Sequence, residues 1–272
     1  MTGAALSLPF LGLGTWMMGE RPRERSREVA ALRAGLEAGA ELIDTAEMYA
    51  DGESESIVGE ALKGFRDQVF LVSKVLPSNA GRQAVMAACD RSRRRLGVDC
   101  IDLYLLHWPG SVPLSETISG FEALQRLGAI KHWGVSNFDA SALAQLLATE
   151  GGTQCRSNQI YFSLSERGPE FDLLPMHHQH GITTMAYCPL DQGDLTSHPD
   201  LLSVALSHQA SCAQIALAWL RQRGITAIPK SARAKVVLEN LGSLNITLSP
   251  ADLALIDQVF PPPQRAERLK IV

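Results

Sequence analysis

Long hydrophobic runs are missing from this 272-residue chain, and aromatic residues make up only 6% of it. No stretch approaches the ~20 apolar residues that a membrane span needs, so no membrane association is expected. The apolar patch from Leu6 to Leu13 has no basic segment before it, which argues against a secretory leader. Cysteine is scarce: Cys89, Cys100, Cys155, Cys188 and Cys212 are five in number with no CxxC pair, which fits free thiols in a reducing cytoplasm. No sign of charge dominates either. A net charge of −4 and a pI near 6.0 give no general attraction to phosphate backbones or anionic membranes, and nucleic acid is not an expected partner. With 46% hydrophobic residues and 20% charged, the composition is that of a compact domain with a large core.

Eight short β-branched or apolar runs recur along the chain. They are Leu11 to Trp16, Leu42 to Thr45, Val69 to Lys74, Ile101 to His107, Ile130 to Ser136, Ser157 to Gln159, Thr183 to Tyr187 and Thr226 to Lys230. Between most of them lie apolar residues at helical spacing, such as Val29, Leu32 and Leu36, or Leu143, Leu146 and Leu147. The runs Val69 to Val72 and Asp102 to Leu106 are apolar without alternation, as expected of strands covered on both faces. Strand then helix, eight times over, predicts an α/β fold of the (β/α)8 barrel (TIM barrel) type. Glycine and proline fall singly at turns, as at Gly97 and Gly181, without a linker or low-complexity block, so residues 1–272 are expected to form a single domain. The longest connection, Leu190 to Gly224, holds an extra helical piece around Leu201 to His208 before a helix over Ala213 to Arg221. Ser249-Pro250-Ala251-Asp252 reads as a helix start and Pro261 to Pro263 as a stop. The last residues, Gln264 to Val272, are expected over the barrel mouth or against its side.

In such a barrel the site is built at the C-terminal ends of the strands. The residues there are Trp16, Asp44, Lys74, His107, Ser136 with Asn137, Gln159, Tyr187, and Lys230 with Ser231. Singly, each has an ordinary explanation: a surface lysine, a strand-end histidine, a helix cap at Ser136-Asn137, a loop amide. Converging on one rim, they describe a site. Tyr49 follows Asp44 by five positions. A phenol with an ordinary pKa of ~10 is a poor proton donor, and a neighbouring ammonium favours its anion. Lys74 can supply that charge, Asp44 can hold Lys74, and His107 can hydrogen-bond the same bound oxygen or tune the phenol. The set suits protonation of a carbonyl oxygen with a hydride brought from elsewhere.

These residues sit in GLGTW at Gly12 to Trp16, LIDTAEMY around Asp44 and Tyr49, GEAL at Gly59 to Leu62, LVSKV around Lys74 and DLYLLHWP around His107. They continue in GVSNF at Gly134 to Phe138, NQIYF around Gln159, AYCPL at Ala186 to Leu190, and IPKS before Glu239-Asn240. In that order and over almost the whole chain, the sequence resembles the aldo-keto reductase family. The resemblance implies a catalytic set of Asp44, Tyr49, Lys74 and His107, with Tyr49 as the acid in carbonyl reduction. It implies that Ser136, Asn137 and Gln159 hold a nicotinamide carboxamide, that Tyr187 stacks on the ring, and that Lys230, Ser231 and Asn240 grip the adenosine end of NADPH. Further cofactor contacts are implied for Gly14, Thr15, Trp16, Asp44, Pro189, Leu190 and Glu239. A small, open substrate pocket lined by Trp16, Met48 and Trp108, with Tyr49 and His107, is implied as well. The pattern is similar to bacterial members that reduce small ketoaldehydes such as methylglyoxal, acting on a small-molecule carbonyl as a cytoplasmic monomer.

The chain departs from the family pattern at three places. Val236 stands where many members have arginine, with Arg233 and Lys235 nearby, which admits NADH beside NADPH. Cys188 replaces the usual serine, and Asp191 a common glycine, where an acid would weaken contact with a pyrophosphate. His177, His178 and His180 are expected on a solvated helix face and not as metal ligands; no metal is needed by the set. Arg91, Arg93, Arg94 and Arg95 are expected to form a stabilising surface late in the third helix. Two other functions remain open: a Schiff-base aldolase using Lys74, and a non-catalytic, redox-sensing barrel that binds NADPH.

Overall fold

The computed structural model describes residues 6–272. Eight parallel strands follow one another in chain order around one sheet: β1 Leu13–Gly14, β2 Leu42–Asp44, β3 Phe70–Val75, β4 Ile101–Leu106, β5 Ile130–Ser136, β6 Ser157–Tyr161, β7 Thr183–Tyr187 and β8 Thr226–Ala227. Around them run α1 Arg25–Glu37, α2 Glu53–Ala61, α3 Arg82–Leu96, α4 Leu114–Arg126, α5 Ala140–Ala148, α6 Leu173–His180, α7 Leu202–Ser207, α8 Cys212–Gln222, α9 Ala234–Leu241 and α10 Pro250–Val259. The fold is the expected (β/α)8 barrel, with α7 as the extra piece in the seventh connection.

β1 and β8 are shorter than their apolar runs. They meet where the sheet closes on itself, through parallel bridges at Leu11 with Ala227 and Gly14 with Lys230. The Gly14 N–H donates to the Pro229 carbonyl at 3.0 Å. Pro229 has no N–H to return to the ladder, so regular pairing stops there.

Two apolar layers result from the two-residue period of the strands. Leu42, Val72, Leu103, Leu105, Met185 and Ile228 point inward and fill the barrel. Ile43, Leu71, Tyr104, Trp133 and Ile160 point outward and pack under the helices with Phe121, Leu143 and Trp219. Every residue of β4 is buried, as its unbroken apolar run requires.

Two expectations are corrected here. Arg95 is no mere surface cation: its guanidinium donates to Glu55 at 2.6 Å, and Glu55 is wholly buried while also accepting from Ser73. His177 is 1% exposed and lies between α6, β6 and β7, so it is a core residue and not part of a solvated face. The polar look of Met176 to His180 conceals one inward-facing ring.

β5 crosses close to β6 at Gly134. A Cβ there would lie 2.4 Å from the Ser157 carbonyl oxygen and 2.9 Å from Leu105 Cδ2. Gly134→Ala is therefore expected to lower the unfolding free energy by about 1–3 kcal/mol through overpacking. Chemical denaturation checks this, and an unchanged midpoint would contradict it.

Candidate active site

The inward-facing positions of the strands continue upward from the inner core and turn polar at the top. Leu42 is followed two residues on by Asp44, Val72 by Lys74, Leu105 by His107, Met185 by Tyr187 and Ile228 by Lys230. The same period that packs the barrel aims these groups at its axis.

Lys74 is fully buried, and its Nζ donates to Asp44 Oδ2 at 2.7 Å, the Thr45 carbonyl at 2.9 Å and the Tyr49 hydroxyl at 3.0 Å. Three N–H bonds meet three acceptors. Burial works against the Lys74 charge, but the carboxylate of Asp44, with help from the phenol, holds the ammonium above its ordinary value. Asp44 in turn accepts from Gln159 Nε2 at 2.7 Å through its other oxygen. For Tyr49, burial is the largest influence and raises the phenol above its ordinary value, while Lys74 pulls the other way. The ammonium offsets the desolvation of the phenol and does not make it acidic outright. Tyr49 thus stays protonated at neutral pH. Because its oxygen already accepts from Lys74, its own O–H is left to donate.

His107 stands across from Tyr49, ring centroids 5.7 Å apart and near perpendicular, and packs against Trp108 at 4.9 Å. Burial first, and the Lys74 charge second, push its pKa down to about 2. The ring is neutral, and its buried Nδ1 has no partner among the described residues.

Asn137 lies just beyond β5 in left-handed backbone, φ 61°, which asparagine tolerates better than most residues. Its Nδ2 donates to the His107 carbonyl at 3.0 Å, and its Oδ1 accepts from the Tyr187 hydroxyl at 2.7 Å. The helix cap of α5 is Asp139, which accepts from the Ala142 N–H at 2.8 Å, so Ser136 and Asn137 are left to face the axis.

A cavity of about 440 Å3 opens above these groups. Gly14, Thr15, Trp16, Asp44, Met48, Tyr49, His107, Trp108, Ser136, Asn137, Gln159, Tyr187, Pro189, Leu190, Lys230, Ser231 and Asn240 all line it. Lys74 does not reach the cavity and lies behind Tyr49. Glu239 does not line it either, since the inner face of α9 carries Val236 and Asn240. Sequence reasoning missed Met17, Gln192, Gly193 and Thr196 on loops, and Ile271 and Val272 at the tail. The tail lies over the mouth, tied by Lys270 to Glu166 at 2.7 Å. Asp191 is turned away from the cavity: it accepts from the Tyr161 hydroxyl and sits 3.5 Å from Lys270. Its charge is met there, so it does not face the channel as expected.

The far end of the cavity suits an anion. Lys230 and Arg233 line it, and neither forms an ion pair among the described residues. The N-terminus of α9 beside them has no side-chain cap. Asn240 is 5% exposed, and its Oδ1 has no partner among the described residues.

Architecture and site together define a (β/α)8 barrel with a protonated phenol, a charged lysine beneath it and a long polar channel at the strand ends. The chain belongs to the aldo/keto reductase family, whose model matches residues 10–260. It is 48% identical to methylglyoxal reductase YeaE of Escherichia coli over 273 residues, covering 98% of this chain and 96% of that protein. An aldo/keto reductase from Klebsiella pneumoniae, solved in complex with NADP and acetate, superimposes with a TM-score of 0.95 at 48% identity, covering 97% of this chain and 96% of that one. A second structure from Klebsiella pneumoniae, in complex with NADPH, gives a TM-score of 0.94 at 48% identity, covering 97% of this chain and 95% of that one.

Burial also pushes the pKa of His177 down, to about 3. Both rings then lie below the ~6.5 of an unfolded histidine, so the unfolded chain takes up protons first as pH falls. The stability they contribute is complete above ~6.5 and is lost progressively as pH drops toward their folded values. Ring nitrogen NMR at about pH 5 is expected to show both neutral; a midpoint near ~6.5 for either would contradict the burial argument.

Proposed function

We propose that the protein reduces small aldehydes and ketones to alcohols with NADPH, and that ketoaldehydes such as methylglyoxal are its preferred substrates. The observation that carries the reading is the Tyr49 hydroxyl at the cavity floor, 3.0 Å from a Lys74 ammonium that Asp44 holds in place. In this reading Tyr49 gives its proton to the carbonyl oxygen. Lys74 then faces the developing phenolate and stabilises it, and Asp44 keeps Lys74 charged. Neutral His107 offers a hydrogen bond to the same oxygen. Trp16, Met48 and Trp108 form an apolar wall that suits an uncharged, compact substrate.

NADPH, when bound, supplies the hydride. The residues present fit it. Ser136, Asn137, Gln159 and Tyr187 are grouped where a nicotinamide would meet the phenol, and Lys230, Ser231, Arg233 and Asn240 are grouped at the cationic end. Gly14, Thr15, Pro189 and Leu190 line the stretch between. The cations Lys230 and Arg233 at the cavity support a preference for the phosphorylated cofactor, with NADH as the slower alternative. Support for the substrate class comes from the 48% identity to an enzyme named as a methylglyoxal reductase. The ion pair that anchors Tyr49 also speaks against a Schiff base, since a lysine held charged is a poor nucleophile. Free thiols at all five cysteines suit a reducing cytoplasm.

Tyr49→Phe is the direct test. It is expected to lower kcat for methylglyoxal reduction by about 10²–10⁴-fold, the usual worth of a positioned general acid. NADPH affinity should change little. Activity equal to the parent would overturn the mechanism.

A further inference from the structure

His177 and Asn158 line no part of the cavity, yet they close on the segment that shapes it. The turn from Ser136 to Asp139 is tied to β6 at three points. Ser136 Oγ donates to the Gln159 carbonyl at 2.9 Å, the Asn137 N–H donates to the same carbonyl at 2.9 Å, and the Phe138 carbonyl accepts from Asn158 Nδ2 at 2.8 Å. Only the third tie depends on a side chain of β6, and that side chain is wholly buried.

The chemistry of the contact fixes every proton in it. A carbonyl oxygen can only accept, so the atom of Asn158 that faces Phe138 must be the amide nitrogen. The same nitrogen lies 3.0 Å from His177 Nε2, which must therefore be the accepting ring nitrogen. The ring proton is then on Nδ1, 2.8 Å from Thr184 Oγ1, where it donates. Asn158 Oδ1 is left buried without a partner among the described residues. The network gives up one hydrogen bond on Asn158 in order to aim its amide at the Phe138 carbonyl. A ring nitrogen that can only accept prevents that amide from turning over.

We infer that His177 is a positioning residue for the nicotinamide end of the cofactor channel, acting through Asn158 on the Phe138 carbonyl and thereby on the left-handed backbone of Asn137. The inference rests on the NADPH-dependent reading above. Asn137 in turn joins the His107 carbonyl to the Tyr187 hydroxyl, so a turn that loses its outer tie loosens both sides of the nicotinamide subsite. The adenosine end, built from the segment between β8 and α9 and from α9 itself, shares no residue with this network.

Calorimetric titration of His177→Leu with NADPH and, separately, with adenosine 2′,5′-bisphosphate tests it. NADPH affinity is expected to fall about tenfold while the bisphosphate affinity stays within about twofold of the parent. His177→Gln, whose amide can accept from Asn158 and donate to Thr184, is expected to restore most of the NADPH affinity. Equal losses for both ligands, or no loss for NADPH, would overturn the assignment. If His177→Leu does not fold, Thr184→Val takes its place. By freeing the ring to change tautomer it is expected to weaken NADPH alone, about threefold, and an unchanged NADPH affinity overturns the assignment. A parent protein that binds neither ligand would instead refute the NADPH reading itself.

Discussion

Lys74 brings a full positive charge to a place with no exposed surface, and the top of the barrel is arranged around satisfying it. Its three donors go to a carboxylate, a main-chain carbonyl and a phenol. Asp44 is fixed from its other side by Gln159, which joins β2 to β6 across the barrel. Burying such a pair is costly unless every lone pair and proton finds a partner, and stripping one member away typically costs about 3–5 kcal/mol. Here the partners are complete, and the last of them, Tyr49, lines the cavity. In the proposed reading the phenol is thereby both a structural acceptor and the proton donor.

The site is also a continuation of the core. Inward-facing apolar residues fill the lower barrel, and two positions further along several of the same strands stand Asp44, Lys74, His107, Tyr187 and Lys230. No special element is needed to gather them, because strand tilt and closure do so. What loops add is the wall: Met48 and Trp108 from short connections, Gln192 and Gly193 from the long one, and Ile271 with Val272 from the tail. The polar groups at the cavity floor are thus set by strand ends, and the shape of the cavity wall by loops and the tail.

Much of this was legible in the sequence for a physical reason. Parallel strands covered on both faces are written as unbroken apolar runs, so a polar residue that ends one is conspicuous, as at Lys74 and His107. Closure was less legible, since Pro229 breaks the ladder that the run Thr226 to Lys230 suggests. The burial of His177 was hidden because a short helix with several histidines has the same composition whichever of them faces inward. Asp191 was misread because its partners, Tyr161 and Lys270, come from β6 and the tail, beyond any local pattern. The balance at Tyr49 was equally out of reach. Whether burial or Lys74 wins depends on depth, and sequence spacing carries no depth.

Lys74 remains an ammonium ion inside the barrel, held by Asp44 against the phenol. The most direct measurement is the Lys74 side-chain nitrogen resonance across the range from about pH 6 to pH 10 in the folded protein. An ammonium signal that persists throughout is the predicted result. A titration to the neutral amine below about pH 8 would contradict it, and would make Lys74 a nucleophile instead of the charge that holds Tyr49.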